Sequence, residues 1–385
     1  MKIIFLTETY FPKVSGVPIV VQYLAEGCLK QGHDVYVATR KYEGFNDYEL
    51  INEVKVYRFS IKRNWFKMLR GEISNYQRFL LDGNFDVIIA ECSECATFDA
   101  FIRIMKQVKG KKILHSHGIS LGTKPFFRWE GFNKTTFGYM YNWLYHKWYY
   151  NRYLPKYIHQ FDGTICLSKI TSAMEYSKKY SKKTYILPNA VDNMFLTETG
   201  DINESRLKSL DKPFLFSCAN YMPVKNQIGI LKQFFRSDLT DYALVFIGRE
   251  ENDYYKKLVK IYCKLCKKHG HRTVLFLTNI PRVEIPNIMD HAVLYLVGSV
   301  KEEFSVSIIE AMSKGVPFIS TNVGNAKELP GGITIDKLSD MSTAISQLID
   351  SPEIRKELGN KGKCYVYNNC RKEKVVEKFI DIIQM

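Results

Sequence analysis

Long hydrophobic runs are missing from this sequence. Stretches such as VLYLVG (293–298) reach about a third of the ~18 consecutive apolar residues that a membrane span needs. The amino terminus, MKIIFLTE, places one lysine and four apolar residues ahead of Glu8, too few for the apolar core of a secretory signal. A cytoplasmic location is the expectation. The 23 glycines show no three-residue period, which excludes a collagen-like chain. No RNA-binding aromatic signature, zinc-finger spacing or basic heptad region occurs, so nucleic acid is not an expected partner. No G-x-G-x-x-G follows the first apolar run, which argues against a dinucleotide-dependent dehydrogenase.

What remains is the composition of a folded protein: 385 residues, 46% hydrophobic and 25% charged. That length predicts two domains. Lys and Arg total 55 against 40 Asp and Glu, a formal net charge of +15, and an evenly basic protein attracts anions of many kinds. Cysteine is odd in number at nine, and reduced thiols are the default for such a chain. The pairs Cys92/Cys95 and Cys263/Cys266 fall in different predicted domains. The second pair is read as the apolar side of an exposed helix, KIYCKLCKKHG, so zinc is disfavoured.

Short apolar runs alternate with helical patterns. KIIFLT (2–7), HDVYVAT (33–39), VKVYRFS (54–60), FDVIIAE (85–91), KKILHSHG (111–118) and FDGTICLS (161–168) read as strands. A helical pattern at 20–32 follows a loop punctuated by Pro12, Gly16 and Pro18. A second series comprises FLFSCA (214–219), YALVFIG (242–248), TVLFLT (273–278), AVLYLVG (292–298) and PFISTN (317–322). Such alternation predicts doubly wound parallel sheets. The expected domains are 1–185, 186–370 and a carboxy-terminal helix over 371–385 that packs back on the first. That helix is amphipathic, with Val375, Val376, Phe379, Ile382 and Ile383 on one face. Ligands of open α/β sheets sit at the carboxyl ends of strands. Two such domains facing each other predict an interdomain cleft.

The most informative stretch is KEEFSVSIIEAMSKGVPFISTNVGNAKEL (301–329). A helix is expected to start near Ser305 and to stop at Gly315-Val316-Pro317. Its start carries free N–H groups and about half a positive charge, a natural seat for a diphosphate. The backbone at Phe304, Ser305 and Val306 is therefore the candidate anion site. Glu302 precedes the helix and Glu310 lies inside it, eight positions on. One carboxylate suits sugar hydroxyls and the other a ribose diol. A solvated acidic loop explains Glu302 and Glu303, but not Glu310 between Ile309 and Ala311.

Here the sequence resembles the group 1 retaining glycosyltransferases, glycosyltransferase family 4, with the GT-B fold. The family motif E-x7-E followed by A-M/L-A/S-x-G-x-P stands as Glu302, Glu310, Ala311, Met312, Ser313, Gly315 and Pro317. The resemblance places Ser15-Gly16 at a phosphate-facing loop, His117 of HSHG beside the reacting sugar, and Lys225 of YMPVKN at the phosphate. LPNAVD (187–192) resembles the start of the family's second domain, and GNAKEL (324–329) its glycine-rich turn. His115 is read as pointing to the opposite side of its strand from His117. The resemblance implies a GT-B enzyme of two Rossmann-like domains. It would move a sugar from a nucleoside diphosphate-sugar, UDP-linked, to a glycan or lipid-linked acceptor with retention, in bacterial surface polysaccharide (capsule) synthesis.

No D-x-D occurs, so no metal and no cofactor are expected; Lys225, the helix start and the amides near Gly16 would meet the leaving diphosphate. Asn220 stands where the family commonly has Arg, Glu303 where it has Gly, and Gly248-Arg249-Glu250 where it has Gly-x-Gly. These departures motivate an alternative, a catalytically weak nucleotide-sugar-binding scaffold. An epimerase of related fold is disfavoured by the pattern at 301–329. Two further stretches, IKRNWFKMLRG (61–71) and FGYMYNWLYHKWYYNRYLPKY (137–157), mix aromatics with cations. The first suits an anionic membrane surface and a peripheral position on the inner face of the cell membrane. The second reads as a helix packed under the sheet.

Overall fold

Apolar runs without alternation demand cover on both faces, and that requirement organises the chain. In Lys2–Thr7 the side chains of Ile3, Ile4, Phe5 and Leu6 are all fully buried, as a central parallel strand must be. The computed structural model describes residues 1–12, 16–119, 134–198, 200 and 205–385. They form two compact units, Met1–Pro188 with Val375–Met385, and Asn189–Lys374.

The first unit holds an eight-stranded sheet among the described residues, in the order Thr184–Ile186, Gly163–Cys166, Lys111–Ser116, Val87–Glu91, Lys2–Thr7, Asp34–Arg40, Val54–Phe59, Tyr48–Ile51. All pairings are parallel except the last, where Tyr48–Ile51 runs antiparallel to Val54–Phe59. This edge strand escapes sequence reading because it is only four residues long, YELI, and its side chains are exposed or half-buried. The stretch IKRNWFKMLRG makes a separate hairpin, Ile61–Arg63 with Leu69–Gly71. The helix Lys372–Gln384 buries Val375, Val376, Phe379, Ile382 and Ile383. Phe379 stacks on Phe5 at 5.8 Å, and Lys111 Nζ donates to the last-turn carbonyls of Ile382 and Ile383 at 3.3 and 3.0 Å. Gly27 lets this helix approach, since a Cβ there would lie 2.4 Å from Val376 Cγ2.

The second unit holds a six-stranded parallel sheet, Val274–Thr278, Ala243–Gly248, Phe214–Cys218, Leu294–Val297, Phe318–Thr321, Gly332–Ile335, among the described residues. Its order reverses between Phe214–Cys218 and Leu294–Val297. In the first unit the reversal falls between Lys2–Thr7 and Val87–Glu91. Diverging connections at such a point open a crevice at the strands' carboxyl ends, and both candidate sites lie there.

Candidate active site

In the second unit, Lys225 leaves a short 3-10 turn, Pro223–Lys225, that follows Phe214–Cys218. Asn226 takes a left-handed backbone and its side chain accepts from the Gly229 N–H, capping the helix Gln227–Phe234. Lys225 is thereby fixed at the crevice. Its ammonium donates to Glu302 Oε1 at 2.5 Å, and Ser299 Oγ donates to the same oxygen at 2.7 Å. Ser217, Cys218, Tyr295 and Ser307 line the same small crevice. Lys225, expected at a phosphate, is thus held by Glu302, with two further N–H groups on its ammonium.

The helix Val306–Ser313 starts where predicted, with Ser305 at its cap. The backbone N–H of Ser305 is donated to Asn325 Oδ1 at 2.9 Å. This corrects the expectation that the Ser305 amide faces a ligand; the first-turn amides of Val306, Ser307 and Ile308 carry the helix's unpaired positive end. Phe304 and Val306 pack their half-buried side chains on the core. Gly324 brings the turn bearing Asn325 against the Glu302–Glu303 backbone: its φ is +55°, and a Cβ would sit 3.0 Å from the Glu303 carbonyl.

Glu310 is 3% exposed. Arg282, from the turn after Val274–Thr278, grips both its carboxylate oxygens through separate guanidinium nitrogens and lies 4.7 Å from the Phe195 ring. Burial pushes the Glu310 carboxyl above its usual range, Arg282 opposes this, and nearby Asp192 reinforces it. Sequence reasoning missed Arg282; its one signal was an arginine just past a strand's carboxyl end, in TNIPRVE. Asn220, in the place of the family's arginine, is exposed. Gly248 keeps its glycine for packing, since a Cβ would meet the Tyr221 ring at 2.3 Å.

In the first unit, His117 follows the strand Lys111–Ser116, and its Nε2 lies 2.6 Å from Glu91 Oε2. His115 is not on the opposite side. Its Nδ1 lies 3.1 Å from the same oxygen, and the two rings are 4.2 Å apart. Side chains two residues apart along an extended chain share a face, so both imidazoles meet the carboxylate on the neighbouring strand. Burial alone would raise the Glu91 carboxyl, but the two histidines outweigh it and hold it at about 2. Burial, then His115, lowers the His117 imidazole, against the Glu91 contact. One nitrogen of each ring thus faces the same carboxylate oxygen.

These three residues form a cluster that could ligate a cation. Tetrahedral zinc with bonds near 2.1 Å spaces its ligand atoms by about 3.4 Å. The 2.6 Å between His117 and Glu91 fits a hydrogen bond instead. Cys263 is exposed rather than on the apolar side of its helix, and Cys266 is half-buried. Gly16 opens the helix Gly16–Lys30; a Cβ there would touch nothing within 4 Å, so packing does not require glycine. Ser15 lies outside the described residues.

The chain is an α/β protein of two doubly wound units, each with polar residues at its switch point. The description "Glycosyltransferase Family 4" matches residues 14–194, and "Glycosyl transferases group 1" matches 199–364. The chain belongs to the group 1 glycosyltransferases and has the GT-B fold. The trehalose synthase of Rubrobacter xylanophilus is 24% identical over 168 residues, 42% of this chain and 40% of that protein. The N-acetyl-alpha-D-glucosaminyl L-malate synthase of Bacillus anthracis is 25% identical over 178 residues, 44% and 45%. The matched region spans about half the length of these relatives or somewhat less. Among solved structures, sucrose-phosphate synthase from Thermosynechococcus elongatus superposes with a TM-score of 0.75 at 16% identity, over 99% of this chain and 98% of that one. Anabaena HepE in complex with UDP superposes with a TM-score of 0.72 at 16% identity, over the whole of both chains. These likenesses are of fold.

Proposed function

We propose that this protein transfers a sugar from a nucleoside diphosphate-sugar, UDP-linked, to a glycan or lipid-linked acceptor, with retention and without a metal ion. The carrying observation is the cluster Lys225–Glu302–Ser299 beside the start of the helix that holds Glu310. The diphosphate leaves with added negative charge, which Lys225 and the first-turn amides of Val306–Ser313 stabilise. Glu302 accepts from the sugar's hydroxyls, and Glu310 from the ribose diol. A bidentate guanidinium uses two of a carboxylate's about four lone-pair sites, so Glu310 keeps two for a diol. His117, with Nε2–H given to Glu91, presents Nδ1 as an acceptor toward the donor sugar. Gly16 lets backbone approach the phosphates. UDP bound to Anabaena HepE supports the choice of base. The setting is bacterial surface polysaccharide assembly, with the protein cytoplasmic and peripheral at the inner membrane face.

The test is a thermal-shift screen of UDP-, GDP- and ADP-sugars followed by donor hydrolysis and transfer assays. A UDP-sugar should give the largest shift, and turnover should be the same with EDTA. Lys225→Ala should lower turnover about 10²–10³-fold with the fold intact. A shift without turnover would favour a nucleotide-sugar-binding scaffold. Full loss of turnover in EDTA would end the metal-free reading.

A further inference from the structure

The hairpin Ile61–Gly71 and the helix Lys134–Trp148 are far apart in sequence, yet they make one surface of the first unit. Their junction is a stack of Trp65 on Tyr141 at 5.0 Å, with Lys67 Nζ 5.5 Å from the Tyr145 ring. Around it Trp65 and Phe66 are each 61% exposed, Met68 48%, Leu144 53% and Trp148 50%. Scattered exposed apolar residues need no explanation, but five large ones on two contacting elements form a patch that water disfavours.

The tip is built to hold this shape. Asn64 accepts the Met68 N–H through Oδ1 and the Lys67 N–H through its carbonyl, each at 2.9 Å, and Lys67 takes a left-handed φ of +62°. Trp65 and Phe66 are thereby forced to the turn's apex. Beneath them Arg63 pairs with Asp99, donates to the Glu94 carbonyl at 2.8 Å, and lies against the rings of Tyr145 and Tyr149. Tyr149, fully buried, donates to Asp99 at 2.7 Å. A rigid, buried polar network supports an exposed aromatic tip.

The charged side chains on the hairpin and the helix themselves have one sign. Lys62 and Arg70 are exposed and stand directly opposite each other in the hairpin register, and Lys147 is exposed on the helix. Like charges facing across two strands destabilise the pair unless an external anion lies between them. Trp and Tyr favour the lipid–water boundary, and Lys and Arg favour anionic headgroups.

We propose that this surface docks the first unit on an anionic lipid bilayer, with Trp65 and Phe66 at the headgroup level and Lys62, Arg70 and Lys147 among the phosphates. It deepens the acceptor side of the proposed function and rests on that reading for its purpose, though not for its physics.

Co-sedimentation with phosphatidylglycerol-containing vesicles, against pure phosphatidylcholine, tests it at about 0.1 M salt. The full chain should partition at least about tenfold more strongly to the anionic vesicles, and each cation removed in K62Q or R70Q should lower binding about fivefold. W65S/F66S should lose most of the remaining binding while keeping its circular dichroism. Brominated lipid should quench tryptophan emission, and W65F should remove the largest share. Wild-type protein left in the supernatant at low salt, or W65S/F66S binding like wild type, would overturn the proposal. So would a mass in light scattering that halves in W65S/F66S, since the patch would then cover a second copy. The thermal shift with UDP is the donor-side control. Vesicle binding without a UDP shift would sink the donor reading alone, and a UDP shift without vesicle binding would sink this surface alone.

Discussion

Each unit buries one carboxylate at its candidate site, and the two are treated in opposite ways. Glu91, fully buried at the end of a strand, faces two imidazoles that are themselves almost completely buried. Its carboxyl is held down at about 2. Glu310, on a helix, faces a guanidinium whose side chain is half exposed, and its carboxyl is pushed up. Burial works against the charge in both. What differs is how much of the partner's interaction is lost to water, and how many donors converge. Glu91 is part of the scaffold that orients His117. Glu310 has a partner that can turn to water, and the proposed function gives its carboxylate to the donor.

The widest test of this contrast is Glu91→Gln. Glutamine replaces the charged acceptor by a neutral one and can set an NH2 donor where Glu91 Oε1 now lies 3.3 Å from His115 Nδ1. Breaking a fully buried charged cluster costs about 3–5 kcal/mol. The loss should appear in urea unfolding, and in faster hydrogen exchange across Val87–Glu91 and Lys111–Ser116. A stability within error of wild type would show that the cluster is not structural. The same carboxylate sets an acid limit. Its folded value lies below the usual range, so its contribution is complete above about pH 4.5 and disappears as pH falls toward 2. The lowered His117 imidazole has the same sign, because protonation opposes its buried neutral form. Protection of these two strands against hydrogen exchange, corrected for the intrinsic rate, should fall with pH, and the part lost below about pH 4.5 should be absent in Glu91→Gln.

Glu310→Gln should do the reverse. Its raised carboxyl contributes nothing that protonation would destroy, and its half-exposed partner can turn to water. Thermal stability should change by about 1 kcal/mol or less. Donor binding should nonetheless be lost, because the single amide oxygen, shared with Arg282, keeps too few lone pairs for both hydroxyls of a diol. A large fall in melting temperature with donor affinity retained would exchange the roles of the two carboxylates.

The inner strands of both sheets were legible in the sequence because fully buried strands leave unbroken apolar runs. The motif at 301–329 was legible because helix start, carboxylates and stop lie in one segment. The edge strands Tyr48–Ile51, Thr184–Ile186 and Gly332–Ile335 were missed because each is only three or four residues long and its side chains are mostly exposed or half-buried. The site's partners were missed for a different reason. Glu91 with His117, Arg282 with Glu310 and Asn325 with Ser305 are pairs made by strand order, 26, 28 and 20 residues apart. Nothing local in the sequence forces them together. The error over His115 was one of alternation: a residue two positions from His117 had to share its face.

The smallest expected effect probes Arg282, which sequence reading did not single out. Arg282→Gln removes the charge that opposes burial at Glu310. Of the other charged or titratable groups near that carboxyl, Asp192 raises it further, while Cys218 and Tyr295 are held protonated by burial. The Glu310 carboxyl should therefore rise again, and at neutral pH a larger share would carry a proton and offer fewer acceptor sites. Donor affinity should fall in Arg282→Gln and recover as pH rises, with the midpoint of that recovery at a higher pH than in wild type. Arg282→Lys keeps the charge without the two-point grip and should fall between them. A pH-independent loss in Arg282→Gln would make Arg282 a direct ligand of the donor, and no loss at all would leave Glu310 ionised without help, closing the gap between it and Glu91.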